Sequence, residues 1–234
     1  MSGTLYMVPS HISDVNGAND LPQSTTSIIS SLRHFVVENV RTVRRFLKSV
    51  DKQIDIDGLT MCELSEHTPD AKIPEMLAPA IAGENIGMVS EAGCPGVADP
   101  GATLAAEAHR RGIRVVPLVG PSSLLMALMA SGLNGQNFAF RGYLPIGTEL
   151  VRALRQMEER SQRENQTQIF IEAPYRNDKM LDALLSSLHA ETRLCIARNV
   201  MGADELIVTH KVSEWRKLAR PSLHKIPTVF LFLA

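Results

Sequence analysis

Two stretches of this chain combine residue types and spacing that suit ligand chemistry. Gly87–Gly101 reads GMVSEAGCPGVADPG, with a carboxylate at Glu91, bare backbone at Gly93 and a thiol at Cys94. Val115–Ser123 reads VVPLVGPSS and sets Ser122, Ser123 and then Leu124 behind Gly120 and Pro121. Each stretch starts as a short apolar run and breaks abruptly into Gly, Pro and Ser. That pattern describes a buried parallel strand whose carboxyl end opens into a tight loop. In open α/β sheets such loops bind ligands, and glycine lets backbone approach a ligand closely.

Several chemistries are excluded by spacing. No two glycines stand two apart, so the GxG core of a dinucleotide fingerprint is missing. The chain has no GxxxxGK[ST], no HExxH and no GxSxG, and its seven histidines are dispersed. Cys62, Cys94 and Cys195 form no CxxC, which fits a reducing cytoplasm better than a disulfide framework. Cys94 reads as a small packed residue rather than a nucleophile, because no histidine lies near it in sequence. What remains is a ligand held by backbone and small side chains.

The elements that must position these residues alternate strand and helix. The pattern predicts strands at Thr4–Val8, His34–Val37, Leu59–Leu64, Ile86–Val89 and Arg114–Leu118, separated by helices. The expected helices are Ser24–Arg33, capped by Ser24 or Thr25, then Val40–Val50, Ile73–Ala82 and Ala102–Arg111. Beyond Pro121 the rhythm restarts. Helices are expected at Ser122–Ala130, Leu150–Ser161, Asp178–His189 and Ser213–Leu218. Strands are expected at Phe138–Arg141, Thr167–Glu172, Thr192–Ala197, Glu205–His210 and Pro227–Leu233. This predicts an α/β protein of two α/β domains, 1–119 and 120–234, with mainly parallel sheets. Asn16–Gln23 and Leu133–Gln136 read as polar loops, and Met126 and Met129 as core.

Composition agrees with an ordinary globular protein of 234 residues, 44% hydrophobic and 21% charged. The formal net charge of −1 gives no global attraction for nucleic acid, although residues 1–120 carry −4 and residues 121–234 carry +3. The chain enters a strand-like run at once, without the basic and apolar regions of a signal peptide. No run approaches 18 apolar residues, so neither a membrane span nor a membrane partner is expected.

Eight segments occur in an order that resembles a known group: GTLYMV, VENVR, MVSEAGCPGVADPG, VVPLVGPSS, ASGL, FAFRGYLP, FIEAPYR and CIAR. Together they resemble the tetrapyrrole-methylase superfamily of S-adenosylmethionine-dependent methyltransferases. Within it they are most similar to the family that methylates a cytidine 2′-O-ribose in small-subunit ribosomal RNA. The resemblance spans essentially the whole chain. It implies a cytoplasmic homodimer, no metal, and a methyl donor bound in a cleft between two α/β domains. Glu91, Gly93 and Cys94 would meet the ribose and methionine end of the donor. Ser122, Ser123 and Leu124 would meet its methionine end or sulfonium. Ile171 and Asn199, with Pro9 and Pro227, would line the adenine side. Glu38, Arg41, Glu172 and Arg198 would stand near an RNA acceptor.

This chain departs from the family pattern at several points. Thr-Pro-Ile-Gly-Asn is replaced by Ser-His-Ile-Ser-Asp at Ser10–Asp14; Asn39 and Val40 interrupt Ala-Glu-Asp-Thr-Arg; Glu91 and Cys94 replace Asp and Thr; Asn199 replaces Glu. Pro145 is followed by Ile146, Gly147, Thr148 and Glu149 instead of basic residues. Two other readings therefore stay open: a donor-binding protein that has lost catalysis, and a methylase of a tetrapyrrole-like small molecule. At the level of residues, Glu38 either works at the acceptor or pairs with Arg41. Arg41, Arg44, Arg45 and Lys48 either grip phosphates or form a solvated helix face. Glu172 either lines a cleft or caps the helix near Asp178.

Overall fold

The computed structural model describes residues 2–13, 20–65 and 67–234. Asp14 of the altered loop and residues 16–19 of the expected polar loop lie outside the described residues. The chain divides into two compact units, Met1–Ser122 and Ser123–Ala234.

The first unit alternates strands and helices in the order β1 (Thr4–Val8), α1 (Gln23–Ser31), β2 (His34–Val37), α2 (Val40–Val50), β3 (Thr60–Glu63), α3 (Ile73–Met76), α4 (Ala78–Ile81), β4 (Ile86–Val89), α5 (Ala102–Arg110) and β5 (Arg114–Pro117). The strands form one sheet, β3-β2-β4-β1-β5, with every pair parallel. Side-chain alternation along these strands feeds two apolar layers. One joins Val8, Phe35, Val37 and Val89 to Ile29 and Leu32 and to Val43, Phe46 and Leu47. The other joins Leu5, Val36, Ile86 and Met88 to Ile73, Leu77, Leu104 and Ala108. Helices α1 and α2 therefore cover one face, and α3, α4 and α5 the other.

Local differences from expectation have local causes. The single helix expected over Ile73–Ala82 breaks at Leu77 into α3 and α4, each with a proline in its first turn. Pro79 has no N–H to give the preceding turn, and its ring crowds the carbonyl four residues back. Neither Ser24 nor Thr25 caps α1; both lie inside it. The N-cap is Pro22, without a side-chain cap, and the Thr25 hydroxyl donates to Val119 O at 2.8 Å.

The second unit runs α6 (Ser123–Ser131), β6 (Phe138–Tyr143), α7 (Thr148–Glu164), β7 (Thr167–Ile171), α8 (Asn177–Ser187), β8 (Arg193–Arg198), β9 (Leu206–Lys211), α9 (Val212–Trp215) and β10 (Thr228–Leu233). Its sheet order is β6-β7-β10-β8-β9. The α/β class holds here, but the expectation of a mainly parallel sheet is corrected. Only β6 and β7 pair in parallel; β10 runs antiparallel to β7 and β8, and β8 antiparallel to β9. The turn at 199–205 is too short for a parallel crossover, which needs a dozen residues or more. The core here packs Leu154, Met157, Leu181, Leu184 and Trp215 against Phe170, Phe230 and Phe232. Met129 is not core as expected: it projects from α6 with 84% of its surface exposed. No helix among the described residues is long and apolar enough to cross a membrane.

Candidate ligand site

The strand order creates a switch point in the first sheet. From β1 the chain turns to α1 on one face; from β4 it turns to α5 on the other. β1 and β4 are neighbours, so the chain leaves the carboxyl edge from them toward opposite faces, the position at which open α/β sheets form a ligand crevice. Ser10 and Gly93 cross its floor. Ser10 N–H donates to Gly93 O at 2.9 Å and Gly93 N–H to Ser10 O at 3.3 Å. The Ser10 hydroxyl also donates to Ser90 O at 3.2 Å. Gly93 holds φ +71°, a conformation that disfavours any side chain. Pro9 is buried, and its ring lies where a Cβ on Gly120 would have to go, 2.3 Å from Pro9 Cγ.

Three carboxylates gather above this floor. Glu38, just past β2, accepts the Glu91 N–H at 2.9 Å through Oε2. Glu91 accepts the Thr42 hydroxyl at 3.3 Å. Asp99 lies in the same loop system and is pushed up to about 6, by burial first and then by the charges of Glu38 and Glu91; a hydrogen bond with the Ser90 side chain opposes the shift. No cation contributes to that balance. The Cys94 thiol is raised by burial and by Asp99, and it donates to Pro121 O at 3.5 Å. That protonated, hydrogen-bonded thiol fits the packing reading of Cys94. Asp99 was not expected as a site residue. In the sequence its Asp-Pro-Gly context reads as a turn, and only the fold brings it beside Glu38.

The alternatives for Glu38 separate here, because its carboxylate holds the Glu91 amide. Arg41 has no ion-pair partner among the described residues and is exposed. Asn39, one of the departures, caps α2 by accepting the Thr42 N–H at 3.1 Å. Ser122 ends the first unit, and Ser123 and Leu124 open α6; all three are half-buried. Neither serine hydroxyl has a hydrogen-bond partner among the described residues.

The second unit groups its own candidates at one end of its sheet. Ile171 pairs with Val229, Arg198 with Thr228, and the Asn199 N–H donates to Pro227 O at 2.8 Å. Glu172 is not a cap for α8. Its Oε1 accepts the Ala173 N–H and an Arg176 N–H, each at 2.6 Å, and Asp178 instead accepts the Leu223 N–H. This pairing raises the Arg176 guanidinium above its ordinary value. Arg198 donates to Asp204 O at 2.8 Å and to the Asp204 carboxylate, which also takes the Asn199 amide. Asp204 is held below the usual carboxylate range, first by Asn199. Arg176 and Asp204 were missed from sequence; the four-residue spacing from Glu172 to Arg176 could have signalled the first pair. Among the described residues no group of three or more His, Cys, Asp or Glu side chains is placed to hold a metal ion.

Comparison with known proteins bears on this arrangement. The family model for tetrapyrrole (corrin/porphyrin) methylases matches residues 18–215. The chain is 30% identical over 203 residues to "Ribosomal RNA small subunit methyltransferase I" of Vibrio cholerae, covering 87% of this chain and 67% of that protein. It is 30% identical over 213 residues to the protein of the same name from Escherichia coli O157:H7, covering 91% and 70%. These matches span about two thirds of the relatives' lengths. Among solved structures, the methyltransferase CobJ aligns with a TM-score of 0.64 at 20% identity, over 99% of this chain and 94% of that one. The uroporphyrin-III-C-methyltransferase from Thermus thermophilus aligns with a TM-score of 0.56 at 19% identity, over 100% and 93%.

Proposed function

Because the chain belongs to the tetrapyrrole (corrin/porphyrin) methylase family, we propose that this methyltransferase moves a methyl group from S-adenosylmethionine to a ribose 2′-oxygen of small-subunit ribosomal RNA. The relatives named ribosomal RNA small subunit methyltransferase I support the RNA acceptor. The observation that carries the donor assignment is the carboxyl-edge crevice of the first sheet, floored by Ser10 and Gly93 and overlooked by Glu38, Glu91 and Asp99.

The residues present fit the donor. Burial first, and then the charges of Glu38 and Glu91, push Asp99 up to about 6, with no ion-pair partner for these three carboxylates among the described residues. A sulfonium ion is the kind of charge that relieves such crowding, and ribose hydroxyls donate readily to carboxylates. The bare backbone of Gly93 and the Ser122 hydroxyl, which has no partner among the described residues, suit close polar contact. When bound, the donor supplies a methyl group activated on sulfur. The chain supplies placement: donor and acceptor held at near-attack distance account for most of what such a displacement needs. Glu38 and Arg41 are assigned to the acceptor side. There a carboxylate takes the proton leaving a weakly acidic ribose hydroxyl. Ile171, Asn199 and Pro227 keep their proposed part in donor binding, Glu172 and Arg198 theirs near the acceptor, and a homodimer is proposed as the working form.

Calorimetric titration with S-adenosylmethionine and S-adenosylhomocysteine tests the donor. Saturable heat with a thermal upshift is expected, and its absence overturns the reading. Incubation with labelled donor and small subunits from cells lacking this gene tests the acceptor. Label is expected on a ribose 2′-oxygen, whereas donor binding without RNA labelling points to the catalytically silent alternative.

A further inference from the structure

We propose that the outward face of α2 is the surface on which the RNA backbone docks, through Arg41, Arg44, Arg45 and Lys48. This rests on the RNA acceptor proposed above and adds where that RNA lies. Helix α2 has two unlike sides. Val43, Phe46 and Leu47 are buried against the sheet, while the four basic residues are all exposed. No acidic residue occurs within Val40–Val50. At 1.5 Å per residue the basic side chains are spread over about 10 Å of helix. A nucleic-acid strand carries one phosphate per roughly 3.4 Å of axis, so about three phosphates match that length.

These cations are free to bind. Arg41, Arg44 and Arg45 have no partner among the described residues, and Lys48 donates only to Lys52 O, at 2.9 Å. Several other arginines are already engaged, whereas Arg152 and Arg155 of α7 are not paired among the described residues but share their helix with Glu149, Glu158, Glu159 and Glu164. Arg110 and Arg111 pair with Glu107, Arg160 and Arg163 with Glu164, and Arg220 with Asp182. The neighbouring acids bracket the stripe without entering it. Glu63 and Glu91 sit at its first turn, occupied by the Val40 N–H and the Thr42 hydroxyl. Asp51 sits at its far end, occupied by the Gln53 N–H. A concentrated positive face in a half-chain of net charge −4 is a local design against the general field. Three of its four residues carry the guanidinium fork that matches phosphate oxygens.

The stripe also begins at the donor crevice. Thr42 stands next to Arg41 and donates to Glu91, and Glu38 lies two residues before α2. A strand held along α2 therefore has one end at the carboxylates.

The test measures binding of a short unstructured RNA across a salt series. Each phosphate contact contributes roughly 0.7 to the slope of log affinity against log salt for a single strand, so R44A/R45A should lower that slope by roughly 1.4. R152A/R155A, which removes two exposed arginines from α7, should leave it unchanged. The surface is overturned if R44A/R45A keeps the wild-type slope, if R152A/R155A lowers it equally, or if polyglutamate competes against phosphate-bearing RNA at equal charge. Calorimetry with S-adenosylmethionine runs in parallel, and R44A/R45A should keep the wild-type donor affinity. Absence of donor binding in the wild type sinks the proposed function and not the docking surface.

Discussion

Glu38 Oε2 accepts the backbone N–H of Glu91 at 2.9 Å, so the residue after β2 holds the loop after β4. Glu38 thus acts on the crevice through backbone as well as charge, and the two roles separate by substitution. E38Q keeps an oxygen acceptor; E38A removes it. A hydrogen bond to a charged group is worth about 1.5–3 kcal/mol. E38A should therefore weaken S-adenosylhomocysteine binding by calorimetry roughly tenfold or more, with E38Q close to wild type. Equal losses in both variants would mean that charge alone matters.

Asp99 gives a pH dependence with a defined sign. Its carboxyl titrates at about 6 in the folded protein against an ordinary value of 3.8. The folded state therefore holds the proton over an interval where the unfolded state has lost it. The stability this contributes is complete below about pH 3.8 and is lost as pH rises through about 6. D99N mimics the protonated form. Its melting temperature should equal wild type near pH 4, and its lead should grow up to about pH 6 and then level off. A constant difference across paired melts would refute the assignment.

Gly120 is required for close approach. A Cβ there would lie 2.3 Å from Pro9 Cγ and 2.5 Å from Pro9 Cβ, and a proline ring has little room to yield. G120A should cost about 1–3 kcal/mol in chemical denaturation, in line with overpacking elsewhere. By contrast, Gly112 faces open space, with nothing within 4 Å of where a Cβ would stand, but its φ of +68° makes alanine strained there for a backbone reason alone.

In the second unit, Glu172 is buried and held by Arg176 and its own neighbour's amide. R176A leaves the carboxylate short of its cation, and the melting temperature should fall. E172Q/R176A should recover much of the loss, because the buried charge is gone. If the double variant melts no higher than R176A, the pair is not what holds this turn.

Much of the first unit was legible because β4 and β5 are short runs that break into loops rich in Gly, Pro and Ser, a signal clearest at β4, which is buried along its whole length. The second sheet was less legible because apolar strands look alike whichever way they run. The clue was length: the segment from Asn199 to Glu205 is too short to cross a sheet and return in parallel. In the site, Glu91 and Gly93 were legible as loop residues. Asp99 was not, because its environment comes from Glu38, sixty-one positions earlier in the chain. Glu172 and Arg198 were legible as polar groups at strand ends, but not the ion pairs that occupy them.

The position of β4 between β2 and β1 has a consequence for synthesis. β2 can pair with β3 as soon as both have left the ribosome, but β1 has no neighbour until Ile86–Val89 and Arg114–Pro117 emerge. The first strand made is thus among the last to be enclosed. Throughout that interval its open edges invite pairing with other nascent chains, and chaperone cover is most valuable there.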